Sequence, residues 1–358
     1  MELKEHLTYS IQQGDTLSSI SRKLSVSSIE LIAYHNDHCD RSQRLVNNKI
    51  PPDVKQLFIP SHAGRTTGTV LKKVRQEKVS LGTGNRLHFN PRENPVAYGV
   101  LLELTQGAVK HTIKYEAGVH LIGTNRKGAV FEITRLTKTY INDEEANDIA
   151  DELAVKTAAV LYPLHIQTDG NGNYSGIANH PAIQKRWAEQ KEKLLTEYTG
   201  EVMERYLYEC EQTIMDQTLT EKVMLNDLFI KALFANGIYT RYNSDYTGKS
   251  TIAFPVLPHK MPVAYAIDLK LDKYLNADGL AYIEQQGKAC DERSAADLEA
   301  GLPVASSDEK VAGDFVAKYF LEPVSNQMIA LYQKCSLSLN QERVVMSSIN
   351  KIERTISS

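Results

Sequence analysis

The stretch that most constrains the fold lies before residue 25: Tyr9 to Leu24, YSIQQGDTLSSISRKL. Tyr9 and Ile11 alternate with polar Ser10 and Gln12, as a half-buried strand does, and Gly14 supplies the backbone freedom of a sharp turn. Asp15 and Thr16 are both N-cap residues by type, and Leu17, Ile20 and Leu24 then recur at helical spacing. Ser27 and Ser28 read as the turn and cap of a second helix, with Ile29, Ile32 and Ala33 as its apolar set and its end near Asn36. Gln56-Leu-Phe-Ile-Pro60 is a short apolar run stopped by proline and suited to pair with the first strand. The pattern predicts a compact strand-helix-helix-strand unit.

Tyr-x-Ile-x-x-Gly-Asp-Thr-Leu-x-x-Ile-x-x-x-Leu, a helix carrying Val26-x-x-x-Glu30-Leu, then Asn36 and a closing Leu-x-Ile-Pro, resembles a LysM module over about residues 7–61. The resemblance implies recognition of glycans built from N-acetylglucosamine, peptidoglycan or chitin, in a shallow groove between the first strand-helix loop and the loop before the last strand. Carried onto this chain, the implied glycan-binding set is Gly14, Asp15, Thr16 and Leu17, together with Asn36 and Gln56. The link between Asn36 and Gln56 is longer than is usual in the family, and Asp53-Val54-Lys55-Gln56 stands where Pro-Gly-Gln is common. Such a loop either covers the sugar site or extends it. LysM-like units also resemble parts of phage tails and contractile-injection baseplates, where they are assembly pieces.

The opening Met-Glu-Leu-Lys-Glu-His-Leu-Thr has no apolar core segment and carries acidic residues, so it does not read as a secretory signal. No run approaches the length of a membrane-spanning helix. Cys39, Cys210, Cys290 and Cys335 are the only cysteines and lie far apart, as free thiols in a reducing compartment do. The expectation is cytoplasmic synthesis, with any delivery to the cell envelope by a non-classical route such as injection. The formal charge of −3 with intermixed signs gives no electrostatic footprint for nucleic acid or an anionic membrane.

A chain of 358 residues suits two or three domains. Residues 62–90 read as a linker, polar and turn-forming around His62 to Thr69, with charges mixed from Lys72 to Lys78 as on a solvated face. Beyond it, Pro95-Val-Ala-Tyr-Gly-Val-Leu-Leu-Glu-Leu104 and Pro262-Val-Ala-Tyr-Ala-Ile-Asp-Leu-Lys-Leu271 align without a gap, and six of the ten positions are identical. Each is followed by strand-like alternation and then an acidic helix, Asn142 to Leu153 in the first case and Asp291 to Glu299 in the second. This predicts an internal duplication, or one sheet with two pseudo-equivalent halves. A stripe from Ile183 through Trp187, Leu194, Tyr198, Val202, Tyr206 and Cys210 to Ile214 predicts one helix over about 181–216, opened by Pro181. Val311, Phe315 and Tyr319, then Met328 to Tyr332, then Val345, Ile349 and Ile352 predict C-terminal helices. The expected class is α+β: a small βααβ module at 7–61, a first α+β segment with the long helix at 91–216, and a second with C-terminal helices at 217–358.

Catalytic signatures are not legible. The His35-Asn-Asp-His-Cys-Asp40 cluster holds ligand-type side chains without a zinc spacing. Asp169-Gly-Asn-Gly-Asn173 begins like a calcium loop, lacks the later bidentate glutamate, and reads better as a hairpin turn. Gly-x-Ser-x-Gly and His-Glu-x-x-His are missing from the sequence, and Ser80 to Asn85 does not match a phosphate-binding loop. No catalytic residue, metal or cofactor is therefore assigned. The expected function is a non-enzymatic LysM-containing binding or adaptor protein whose body engages a protein partner or cargo, with a contractile injection (type VI-like) apparatus as one setting. The alternative is a peptidoglycan hydrolase targeted by its LysM module, whose mark would be a cleft with converging histidines or carboxylates.

Overall fold

A computed structural model describes residues 3–46, 49–60, 63, 71–145 and 148–354. The chain divides into two compact units, residues 1–81 with 271–282, and residues 82–270 with 283–358.

The first unit runs β1 (Leu3–Ser10), α1 (Leu17–Leu24), α2 (Ser28–His38), β2 (Gln56–Ile59) and β3 (Leu71–Glu77). β1 lies between β2 and β3, antiparallel to both. The expected order of strand, helix, helix and strand is present, and its core joins Tyr9, Leu17, Ile20 and Leu24 to Leu31, Leu57 and Ile59. Two local expectations change. Ile29 is exposed, and Leu31 and His35, one turn apart, form the buried face of α2, which Ser27 caps. The charged run expected to be linker forms β3 from Leu71 onward; residues 62 and 64–70 of that linker lie outside the described residues.

The second unit runs β4 (Val96–Gln106), β5 (Val109–Asn125), β6 (Gly128–Arg135), β7 (Tyr140–Ile141), β8 (Glu144–Glu145), α3 (Ile149–Ala159), β9 (Leu164–Thr168) and β10 (Tyr174–Ile177). Four helices follow: α4 (His180–Glu197), α5 (Glu201–Met215), α6 (Gln217–Leu225) and α7 (Leu228–Phe234). The chain closes with β11 (Thr247–Phe254), β12 (Val263–Leu271), β13 (Ala281–Ala289), α8 (Ala295–Ala300), β14 (Asp314–Leu321), β15 (Met328–Leu337) and β16 (Arg343–Ile352). The strands make one large sheet in the order β10-β9-β6-β5-β4-β16-β15-β14-β13-β12-β11, with β7 paired to β5 and β8 to β7. The class is α+β with a large antiparallel sheet.

That sheet curls. The Tyr265 hydroxyl on β12 donates to the Ser336 carbonyl on β15 at 3.1 Å. Those strands stand three places apart, about 14 Å in a flat sheet and beyond a tyrosine's reach. Arg343 Nε of β16 likewise donates to the Val256 carbonyl, just past β11, at 2.9 Å. Helix α7 is buried all round from Phe229 to Phe234. Its Phe229 meets Tyr98 of β4 and Tyr115 of β5 edge-on, and its Phe234 packs on Phe131 of β6.

Three expectations about helices fail for identifiable reasons. The single helix over 181–216 is two, α4 and α5, and Gly200 between them holds φ 120°, which L side chains rarely adopt. The pair folds back on itself, since the His180 ring bonds the Ile214 carbonyl at 2.9 Å and Gln184 donates to the Met215 carbonyl at 3.0 Å. The C-terminal helices are strands β14, β15 and β16. Phe315, Ala317, Tyr319 and Leu321 are all buried, with less buried residues alternating between them. A spacing of four fits both a helix and a strand face, and only the intervening Ala317 and Ser347 separate the two periods. The acidic helix expected from Asn142 begins only at Ile149, where Asp148 caps it. The hairpin reading of Asp169 to Asn173 matches the structure: Asp169 Oδ1 accepts the N–H groups of Asn171 and Asn173, between β9 and β10.

Candidate functional site

The residues assigned to glycan binding fall into two groups. The first is the turn from β1 to α1. Gly14 sits at φ 87°, and an added Cβ would meet nothing within 4 Å, so its requirement is conformational and not spatial. Thr16 is the N-cap of α1, its hydroxyl accepting the Ser19 N–H while Ser19 Oγ accepts the Thr16 N–H. Leu17 is buried and pins the turn to the core.

Asp15 is the organiser of this turn. Its carboxylate accepts from the Tyr9 hydroxyl at 2.7 Å, the Gln12 N–H at 2.9 Å and Lys23 Nζ at 2.6 Å, and the side chain is 4% exposed. Burial works against the charged form, yet the Lys23 ammonium, the Tyr9 hydroxyl and the Gln12 N–H together hold the carboxyl below its ordinary range. An oxygen pair so committed shapes the loop and presents little to solvent.

The second group separates. Gln56 opens β2 opposite Ser10, and the Ile11 N–H donates to the Lys55 carbonyl at 3.0 Å, so the segment before β2 is bonded to the first turn. Asn36 is elsewhere: its amide donates to the Leu45 carbonyl at 3.0 Å and accepts the Leu45 N–H at 2.8 Å, clamping the long link to α2. The exposed polar side chains on the joined loops are therefore those of Gln12, Gln13, Thr16, Asp53, Lys55 and Gln56, with Gly14 and Pro52 exposed among them. These are amides, a hydroxyl and two opposite charges, groups that bond sugar hydroxyls and acetamido functions. Gln12 and Gln13 occupy unspecified positions of the Tyr-x-Ile-x-x-Gly-Asp pattern, and Lys55 lies in the segment that departs from the common Pro-Gly-Gln.

The His35 to Asp40 cluster is structural. His35 is fully buried, its Nδ1 accepting the Phe58 N–H at 3.1 Å, which leaves Nε2 as the donor to the Gln43 carbonyl at 3.0 Å. Burial lowers the pKa of this imidazole, and burial pushes the Cys39 thiol up to about 12. Among the described residues no three His, Cys, Asp or Glu side chains are grouped to hold a metal ion.

Two clefts in the second unit were not legible in the sequence, since each is assembled from distant segments. One of about 610 Å³ lies among the β5–β6 turn, β10 and α6 and contains Arg126, Lys127, Gln217 and Glu221. The other, about 430 Å³, contains His111, Asp151 and Arg343 beside Val109 and Ile141. Among the described residues no helix is long and apolar enough to cross a membrane.

No protein-family model matches the chain, and no curated protein matches it. A solved structure described as lipid-protein interactions in lipovitellin is similar at TM-score 0.40 and 10% identity, over 75% of this chain and 26% of that one. This chain thus spans about a quarter of that structure's length, and a likeness so slight bears on neither fold nor function.

Proposed function

We propose that the chain is a non-enzymatic binding or adaptor protein whose N-terminal LysM module recognises an N-acetylglucosamine glycan, peptidoglycan or chitin-type, while its second unit engages a protein partner. The observation that carries this reading is the joined pair of loops. The YSIQQGDTL turn is bonded through Ile11 and Lys55 to the segment before β2 and presents exposed amides and a hydroxyl. Exposed apolar residues support the partner role of the body: Leu219 and Val223 stand one turn apart on α6. A contractile injection (type VI-like) apparatus is the setting to which the likeness with baseplate pieces points. The hydrolase alternative receives less support: neither of the two clefts holds the carboxylate pair of glycoside cleavage, and the one with His111 and Asp151 offers a single histidine and a single carboxylate.

The test is retention of the intact chain on insoluble peptidoglycan and chitin, compared with a Gln13→Ala, Gln56→Ala variant that leaves the Asp15 network in place. Retention by the wild type and its loss in the variant is the expected result. Failure of the wild type to bind either polymer would overturn glycan recognition and leave the module a docking piece. Asp15→Ala is the wrong probe, since it removes the bonds that shape the turn.

A further inference from the structure

The cleft beside the β5–β6 turn has features of a built site. The turn is held rigidly: Asn125 Oδ1 accepts the N–H groups of Lys127 at 2.8 Å and Gly128 at 3.2 Å, and Asn125 Nδ2 donates to Gln167 Oε1 at 2.8 Å. Gln167 in turn donates to the Thr168 carbonyl at 2.8 Å. Gly128 holds φ 148°, and a Cβ there would come within 2.2 Å of the Thr168 carbonyl oxygen, so the turn is pressed onto β9. The two residues this turn presents, Arg126 and Lys127, are exposed and make no ion pair among the described residues.

The opposite wall is also fixed. Glu221 Oε1 accepts the Ile177 N–H at 3.1 Å and Gln217 Nε2 at 2.9 Å, and Tyr174 donates to the Glu221 carbonyl at 3.1 Å. Those bonds tie α6 to the free edge of β10 and engage Oε1. Two cations against one carboxylate favour a ligand of single negative charge, and Glu221 disfavours a polyanion. The apolar lining is confined to Ile177 and Ala178, with no aromatic face. The volume of about 610 Å³ is in the range of small-molecule sites, roughly 300–1,000 Å³.

We propose that this cleft binds a small hydroxylated monocarboxylate of the sugar-acid class. Arg126 and Lys127 hold the carboxylate by charge-assisted hydrogen bonds. Gln217 and Glu221 receive the hydroxyl groups. The site shares no residue with the loops proposed to bind glycan, and the proposal stands or falls independently of them.

Titration calorimetry of the full chain with D-glucuronate, D-glucose and inorganic phosphate tests this, alongside an Arg126→Ala, Lys127→Ala variant. Both side chains are exposed, so the variant should retain the wild-type thermal unfolding, which is measured in parallel. The expected result is glucuronate binding at least about tenfold tighter than glucose and weakened about tenfold or more in the variant, one tenfold step corresponding to the loss of a single charge-assisted bond. Lack of glucuronate binding, equal binding of glucose, equal binding of phosphate, or unchanged binding by the variant would each overturn the proposal.

Discussion

The two Pro-Val-Ala-Tyr segments give the same beginning two different surroundings. Both form strands of the same sheet, β4 and β12, and they are not paired with each other. Tyr98 and Tyr265 are both fully buried, and both hydroxyls donate to carbonyls of β15, Met328 at 2.8 Å and Ser336 at 3.1 Å. Charge is handled in opposite ways. The second segment is anchored by a buried pair: Asp291 accepts the Ala264 N–H at 3.1 Å, and Arg293 donates to Asp291 at 2.7 Å and to the Pro262 carbonyl at 2.8 Å. The first packs against α7, which buries Lys231 at 7% exposure with burial alone acting on its ammonium. A shared local pattern specifies a strand and a tyrosine anchor, and the neighbours decide how buried charge is compensated.

The largest test of the likeness is truncation of the tyrosines. Tyr98→Ala and Tyr265→Ala should each cost about 3–5 kcal/mol in urea unfolding, the range for emptying a large aromatic site. Tyr→Phe at either position should cost about 1 kcal/mol, for the hydrogen bond alone. A loss at one position and none at the other would end the equivalence.

Asp291→Ala tests the difference, because it leaves Arg293 buried without its partner, and about 3 kcal/mol should be lost. The Arg293 hydrogen bonds hold the Asp291 carboxyl down at about 2. Its contribution is therefore complete above the unfolded value near 4 and is lost as pH falls from there through 2. The variant should lack that part of the acid sensitivity in pH-dependent unfolding.

Lys231→Met should act in the other direction and stabilise. Burial pushes the ammonium down to about 8 from 10.5, a penalty of order 3 kcal/mol below pH 8. Wild-type stability should rise with pH between about 8 and 10.5, where the unfolded chain holds the proton and the folded chain does not. The variant's unfolding midpoint should be higher at pH 7 and flatter across that window.

The smallest effect is expected at the first position where the two segments differ, Gly99 against Ala266. A Cβ on Gly99 would come no closer than 3.4 Å, to Ile352 Cγ2. Gly99→Ala should change stability by about 0.5 kcal/mol in the stabilising direction, chiefly by restricting the unfolded chain. A large loss would show that β4 needs the glycine and that the neighbouring strand is packed more tightly than its counterpart.

Adjacent residues suffice to specify the local units whose signals are redundant. The β1 to α1 turn carries a strand alternation, a glycine, an N-cap and a helical repeat within sixteen consecutive residues, Tyr9 to Leu24, and all of them agree. Asp169 to Asn173 is similar, because its turn bonds are made within the segment. Where a signal was single it misled. Phe315 and Tyr319 are four apart and fit either period, and the stripe through Leu194, Tyr198 and Val202 ran on across a glycine that turns the chain back.

Tertiary structure alone decided what depends on partners distant in sequence. Asp15 and Asn36 are polar side chains of the kind that bind ligands, and only their bonds to Tyr9, Lys23 and Leu45 show them engaged in shaping the loops. The cleft holding Arg126 and Glu221 has no sequence signature, because its walls come from segments almost a hundred residues apart. A turn or cap is a matter of one segment's own hydrogen bonds and is written in adjacent residues. A cleft, a curled sheet or an unpaired buried charge is a matter of which surfaces meet, and that is settled only when the whole chain has packed.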